Sequence, residues 1–561
     1  MEILAKMEIP EEILMNQQHR MKMLRRLVRT GVFVAGIAAV TCARPLSARV
    51  TQIVITKVES PTFGGTSFGS VGQYELIQGT ITGEVDPTNP QNAVIVDITN
   101  APRNSRGLVS YTSDFQIIRP IHLDQGNHRI LFDLPNRGGA TALSLFNGSS
   151  PVNSKTTAGS PGNGFIMSQG YTLVEGAWDI AAPQTGFAVH LPIAVNPDGS
   201  IIRGIALEEF VIDKNATPAT EPLTYAAASP DKSQAALTVR ENYGDTPTVI
   251  PSSGWDYTDA TLTAIKLTSG IFGGPGSFGP TALYEFTYTA KNPIVAGLGL
   301  AALRDLASFL RKAQADDFGT PNPLAGDAQA IYTTCYSQPC RTMHDFVLLG
   351  FNEAEYVHNK NGHGGAGNQH EKVFDGVLNW VGGGDGIYMN YRFAQTGRTH
   401  RQHIARWYPE FQFPWANHIT HDHVTQQTAG RLDACQRTDT CPKIIELNSE
   451  NEYWSKGGSL LTTDTEGNDL QLNDNPNVRY YLMSSLPHGA GSAAGICQQP
   501  QNPLTAGPVL RALVVDMDDW VTNGTPPPDN RVPQRANGTL APSLPQLGMG
   551  FPNIPGVTAV R

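Results

Sequence analysis

Short apolar runs alternating with polar positions dominate residues 50–123, most clearly at 50–55 and 93–98, with Gly, Pro and Asn turns between them. A period of two marks half-buried strands, so this stretch predicts an N-terminal antiparallel β segment. Further along the runs change character. Residues 129–134 and 171–177 are short apolar stretches ending in Gly-rich or polar loops, as expected of strands buried on both faces of a parallel sheet with working loops at their C-terminal ends. Runs 374–381, 443–447 and 478–483 repeat the pattern. Between them the period switches to that of a helix: Leu303, Leu306, Phe309 and Leu310 share one side of 295–312, and a last helix over 509–521 stops at Gly524 and Pro526. This alternation predicts an α/β fold with a mostly parallel, doubly wound sheet. The turn-rich, strand-like segment 185–289 interrupts it and reads as a β-rich insertion.

The N-terminus departs from this patterning. Lys22, Arg25, Arg26 and Arg29 precede an apolar run over 31–43 and a small-residue exit ending at Ala48, the order of a secretory signal peptide. Residues 1–48 are therefore expected to be removed, with Met21 or Met23 as alternative starts, and 49–561 to form one catalytic domain in the periplasm or outside the cell. The apolar run is too short to span a bilayer comfortably, so no stable membrane insertion is expected.

Composition narrows the function. The chain is 40% hydrophobic and 16% charged, enough apolar material for a large core. Its formal net charge of -10, with no basic block beyond the N-terminus, argues against a nucleic-acid partner. A small-molecule ligand fits better, and nothing in the pattern fixes an oligomeric state. An oxidising compartment favours disulfides among Cys335, Cys340, Cys435, Cys441 and Cys497. Cys435 and Cys441 bracket a short polar loop and are expected to pair, whereas a bond from an elbow-flanking cysteine to Cys497 is a weaker alternative. None has the repeated spacing of a zinc site.

A hydroxyl nucleophile needs exposure at a tight turn, a base and oxyanion donors. Cys335-Tyr336-Ser337-Gln338-Pro339 stands where a strand-to-helix elbow would be, before a helical run over 341–349, although the glycines of GxSxG are missing. Pro339 suits a first helical turn, and Gln338 keeps the N–H that an oxyanion hole requires. Several stretches carry a resemblance: Tyr288-Thr289-Ala290-Lys291-Asn292-Pro293, Gly297-Leu298-Gly299-Leu300-Ala301-Ala302-Leu303-Arg304-Asp305, Gly350-Phe351-Asn352-Glu353, Val373-Phe374-Asp375-Gly376 and Tyr391-Arg392-Phe393-Ala394-Gln395. Together they resemble the bacterial, mostly exported alpha/beta-hydrolase-domain proteins, serine hydrolase-like and of unassigned substrate, over nearly all of the chain after the signal. The resemblance implies an α/β-hydrolase fold and places Tyr336-Ser337-Gln338 at the family's GFSQSG-like elbow. The chain departs from that elbow at Cys335, Pro339 and Cys340.

The base is expected after the last parallel strand. Pro487-His488-Gly489 follows the run 478–483 and resembles the family's catalytic-histidine loop, which continues into a CQQPxNP-like stretch. The orienting acid is expected after the preceding strand, where Glu450, Glu452 and Asp464 lie. Glu452 sits in a segment similar to the family's TEYW, so it is preferred, with Asp464 as the alternative. The loop Pro135-Asn136-Arg137-Gly138-Gly139 resembles the one that donates the second oxyanion N–H, and Trp178 and Asp179 are candidate pocket wall.

Two histidine groups, His418, His421 and His423 with Asp422, and His358, His363 and His370, fall in segments that read as lid or crossover loops, with the lid over 384–431. Neither metal nor cofactor is expected. The resulting expectation is an exported serine hydrolase cleaving a carboxylic ester through an acyl-enzyme, with Ser337, His488 and Glu452 as the triad and Gln338, Asn136, Arg137 and Gly138 around the oxyanion. The rival readings are a catalytically impaired binding protein on the same fold and a zinc hydrolase built on His418.

Overall fold

The structure is a computed structural model and describes residues 49–149, 159–212, 218–241, 244–268, 278–279, 282–355, 370–396, 413–491, 500–542, 545–550 and 552–556. The expected signal peptide, His358, His363 and Cys497 lie outside these residues, as does 397–412 of the expected lid.

Among the described residues, nine strands form the path of the main sheet: β1 (Arg49–Glu59), β2 (Gly72–Val85), β3 (Val109–Pro120), β4 (Arg129–Asp133), β5 (Thr172–Gly176), β6 (Ala330–Tyr336), β7 (Gly376–Trp380), β8 (Lys443–Ser449) and β9 (Val478–Met483). Their spatial order is β1-β2-β3-β5-β4-β6-β7-β8-β9. The first three strands pair antiparallel, and β3 meets β5 antiparallel as well. From β5 to β9 every pairing is parallel. The sheet is thus mixed but largely parallel.

Helices α1 (Leu298–Lys312), α2 (Gln338–Leu348), α3 (Glu450–Ser455) and α4 (Gly507–Thr522) bear on the site. Residues of the central strands alternate between two cores. Ile331, Val377 and Ile444 pack with Leu303, Leu306 and Leu310 of α1 and Phe346 of α2. Tyr332, Leu378 and Ile445 pack with Leu510, Val514 and Met517 of α4. Burial on both faces explains why these strands read as apolar runs; each fully buried aliphatic side chain contributes about 1.5–3 kcal/mol. The core-facing helix α1 also buries Arg304 and Asp305, which satisfy each other at 2.8 Å, with Tyr111 donating to Asp305 at 2.7 Å.

Between β5 and α1, the described strands within 203–291 build a four-stranded and a three-stranded antiparallel sheet. They enclose their own aromatic core, with the Trp255 and Phe286 rings 4.9 Å apart.

The expected strand at 93–98 is instead a series of turns ending in a 3-10 turn at Ile98–Asn100. Asn390 takes the place of a neighbouring strand there, accepting from the Val96 N–H at 2.9 Å and donating to the Val94 carbonyl at 2.8 Å. Ile95 and Ile98 remain buried, so the apolar pattern reflects burial without pairing. The helix expected from 341 begins earlier, at Gln338. Among the described residues no helix is long and apolar enough to cross a membrane.

Candidate active site

Ser337 stands between the end of β6 and the start of α2, and only 8% of it is exposed. Its backbone has φ 69° and ψ -116°, a conformation that an L side chain adopts at a cost of about 1–3 kcal/mol. Three hydrogen bonds hold the turn. Ser337 N–H donates to the Trp380 carbonyl at 2.9 Å, Cys340 N–H to the Ser337 carbonyl at 3.0 Å, and the Asn136 side-chain amide to the Tyr336 carbonyl at 2.8 Å. Pro339 falls in the first helical turn, as its missing N–H allows.

His488 follows β9 on a loop that Asn502 ties down by donating to the Ser485 carbonyl at 2.6 Å. The loop also docks on the strand carrying the elbow, because the Tyr336 hydroxyl donates to the His488 carbonyl at 3.1 Å and the two rings lie 5.3 Å apart. His488 Nδ1 lies 2.5 Å from Glu452 Oε1. The Glu452 side chain is fully buried while His488 keeps 31% exposure.

Glu452 reaches this place because α3 starts directly after β8. Ser449-Glu450-Asn451-Glu452 has the spacing of a capping box, yet the Ser449 hydroxyl caps no backbone N–H and donates to Glu452 Oε2 instead, while Oε1 meets His488. Burial pushes its carboxyl up, but the hydrogen bond and charge of His488, with hydrogen bonds from Ser449 and Asn451, outweigh this and hold it below its ordinary range. An ionised Glu452 fixes the proton on Nδ1 and leaves the Nε2 lone pair as the basic face of the imidazole.

The alternative acid, Asp464, is committed to its own turn. It accepts from the N–H groups of Glu466 at 2.9 Å and Asn468 at 2.8 Å and from the Asn468 amide at 2.9 Å.

The expected oxyanion residues divide. By position, the Gln338 N–H has no partner within α2. Asn136 N–H, by contrast, is spent on the Gly139 carbonyl at 2.8 Å within a tight turn. Arg137 (φ 48°) and Gly138 (φ 77°) form the bend of that turn. A Cβ on Gly138 would stand 3.1 Å from the Phe187 carbonyl, so glycine is required for approach as well as for φ.

Trp178 is a core residue, 1% exposed and donating to the Pro135 carbonyl at 3.0 Å. Asp179 accepts from the Gln338 amide at 2.9 Å and from the Thr396 hydroxyl, so it anchors the residue after Ser337. That anchoring was not legible in the sequence.

Two further features also escaped sequence reading. Cys335 and Cys340 form a disulfide around the elbow, whereas Cys435 and Cys441 pair as expected. The only advance signal for the first was two cysteines bracketing a predicted turn. Beneath the elbow, buried His344 of α2 lies 3.1 Å from Glu446 of β8, with its other ring nitrogen 2.8 Å from the Asp385 carbonyl.

The histidine groups are engaged separately. His418 Nδ1 meets the Tyr480 hydroxyl at 3.1 Å, His421 meets Thr428 at 2.9 Å, His423 pairs with Glu466 at 3.3 Å, and His370 contacts Glu353. Among the described residues, no three His, Cys, Asp or Glu side chains gather as a group fit to hold a metal ion.

No curated protein gives a significant match to the chain. The alpha/beta hydrolase domain family matches residues 252–549, more than half of the chain and inclusive of Ser337, Glu452 and His488. With the largely parallel sheet and the strand-to-helix turn at Ser337, this match shows that the chain belongs to the alpha/beta hydrolase domain family.

Proposed function

We propose that the protein is an exported serine hydrolase that cleaves a carboxylic ester of a small molecule. The observation that carries this reading is the His488–Glu452 contact of 2.5 Å, on a loop docked through Tyr336 to the turn bearing Ser337.

In the proposed reaction Ser337 Oγ attacks the acyl carbonyl while His488 Nε2 takes its proton. The proton then passes to the leaving alcohol as the tetrahedral intermediate collapses to an acyl-enzyme. Water, deprotonated by the same nitrogen, releases the acid and restores the serine. Glu452 keeps the imidazole in the useful tautomer and stabilises its charged form. Gln338 N–H and an N–H from the Arg137-Gly138 bend stabilise the developing oxyanion. No cofactor or metal enters these steps.

The test uses a fluorophosphonate probe and a panel of p-nitrophenyl esters on the purified protein. Stoichiometric labelling mapped to Ser337, lost with ester hydrolysis in Ser337→Ala, is the expected result. Undiminished labelling and hydrolysis in folded Ser337→Ala protein would remove Ser337 from the mechanism.

A further inference from the structure

The elbow lacks the small residues that such a turn ordinarily uses, and a covalent bond stands in their place. Residues 335–340 read Cys-Tyr-Ser-Gln-Pro-Cys, with no glycine. Cys335 ends the buried part of β6 and Cys340 is the third residue of α2; both are fully buried, and their Cα atoms are 5.1 Å apart. The bridge closes a short covalent ring that holds Ser337 inside it.

Ser337 must keep a positive φ that its side chain disfavours, which requires surroundings that over-determine the turn. A chain tied between 335 and 340 has to reverse direction in between, and the positive φ at Ser337 is part of that reversal. The bridge therefore excludes the opened conformations that an untied turn would relax into.

The surroundings accommodate it. Cys340 Sγ lies 3.3 Å from the Trp380 carbonyl and Cys335 Sγ 3.1 Å from Asn379 Oδ1. A Cβ on Gly382 would stand 3.0 Å from the Cys340 Cβ, so glycine here gives the bridge its room. The small residue absent from the elbow reappears beside it, on the neighbouring strand's loop.

We infer that the Cys335–Cys340 disulfide is a positioning element of the elbow, holding Ser337 Oγ and the Gln338 N–H in register with the reacting carbonyl. This rests on the reading of Ser337 as nucleophile. Loss of the bridge should impair the chemical step more than substrate capture, since a misplacement of about 1 Å costs on the order of 10²-fold in rate.

The experiment compares Cys335→Ala/Cys340→Ala with Cys435→Ala/Cys441→Ala, which removes the other disulfide. The first variant is expected to lose about 10- to 100-fold in kcat on p-nitrophenyl butyrate, with KM within roughly twofold and fluorophosphonate labelling slowed in parallel. The second should keep its kcat.

Wild-type protein, partly reduced by dithiothreitol in sub-denaturing urea, gives an independent readout. The dithiol delivers two electrons and two protons to the cysteine pair while closing its own disulfide. Slow labelling should track the fraction of molecules whose Cys335 and Cys340 are captured by iodoacetamide, and reoxidation of an unalkylated portion should restore it.

Wild-type kcat in the folded elbow variant, or full labelling of molecules with both elbow thiols free, overturns the proposal. Should Ser337→Ala protein still hydrolyse esters and label, the nucleophile reading fails instead, whatever the cysteines show.

Discussion

The hydroxyl of Tyr336 donates to the backbone carbonyl of His488 at 3.1 Å, so the residue before the elbow serine holds the loop of the candidate base. Burial and the nearby Glu452 charge raise the Tyr336 pKa, which keeps the donor protonated. Gly489 adjoins the contact: a Cβ there would meet the Tyr336 hydroxyl at 2.5 Å.

Tyr336→Phe should therefore loosen His488 without emptying the space beside it. The lost hydrogen bond is worth about 1 kcal/mol, so a roughly 3- to 10-fold fall in kcat with a nearly unchanged KM is expected. Steady-state kinetics on a p-nitrophenyl ester measure it. An unchanged kcat would show that the loop holds its place without this contact.

Ser337, His488 and Glu452 should behave as one unit. Ser337→Ala and His488→Ala are each expected to remove on the order of 10⁴-fold or more of the turnover, and the double variant little more than either. Glu452→Gln should cost roughly a hundredfold less than Ser337→Ala, since the acid orients and stabilises the imidazole. Asp464→Asn should leave kcat near wild type, because its carboxylate serves its own turn. A crippled Asp464→Asn beside a silent Glu452→Gln would reassign the acid.

Asp179 fixes the Gln338 side chain and receives the Thr396 hydroxyl. Asp179→Ala should leave the buried Gln338 amide short of an acceptor, at a cost of about 1–3 kcal/mol in stability. It should also lower kcat by disturbing Gln338, whose N–H is the proposed oxyanion donor. Thermal melts together with kinetics test both effects, and wild-type values for each would show that Asp179 is dispensable to the elbow.

Two buried carboxyls should give opposite pH slopes. Burial pushes Asp345 of α2 up to about 7, even though its carboxylate accepts from the Ile387 N–H at 3.0 Å. A folded pKa above the unfolded value of 3.8 means that its stabilising contribution is complete below 3.8 and lost as pH rises through about 7. Glu452 is depressed below 4.5, so its contribution is present above 4.5 and lost as pH falls through the lower folded value. Melting temperatures across pH 3 to 8 should accordingly lose part of their alkaline-side decline in Asp345→Asn, the rest belonging to other buried carboxyls such as Asp133 and Asp385, and part of their acid-side decline in Glu452→Gln. Parallel wild-type and variant curves would contradict these assignments.

Local pattern carried much of the fold. Strands β4, β5 and β7 to β9 and helices α1 and α4 were legible because burial on two sheet faces or one helix face imprints a short-range period on the chain, whereas β6 was implied only by the place of the elbow that follows it. Ser337, Glu452 and His488 each stand past the C-terminal end of a strand, but it was the resemblance to the hydrolase family, more than any period in the chain, that singled them out. What the sequence left open depends on partners remote along the chain. Residues 93–98 have a strand's apolar spacing, but the amide of Asn390 takes their backbone groups. Cys335 closes on Cys340 because the elbow folds back on itself, and Gln338 is held by Asp179, 159 positions away. Glu452 rather than Asp464 meets His488 because a short helix starting at the end of β8 carries it there, while Asp464 is used up within five residues of itself. Periodicity records which side of an element is buried; which polar atom meets which is decided only when the elements pack, because each donor and acceptor must find a partner in the assembled interior.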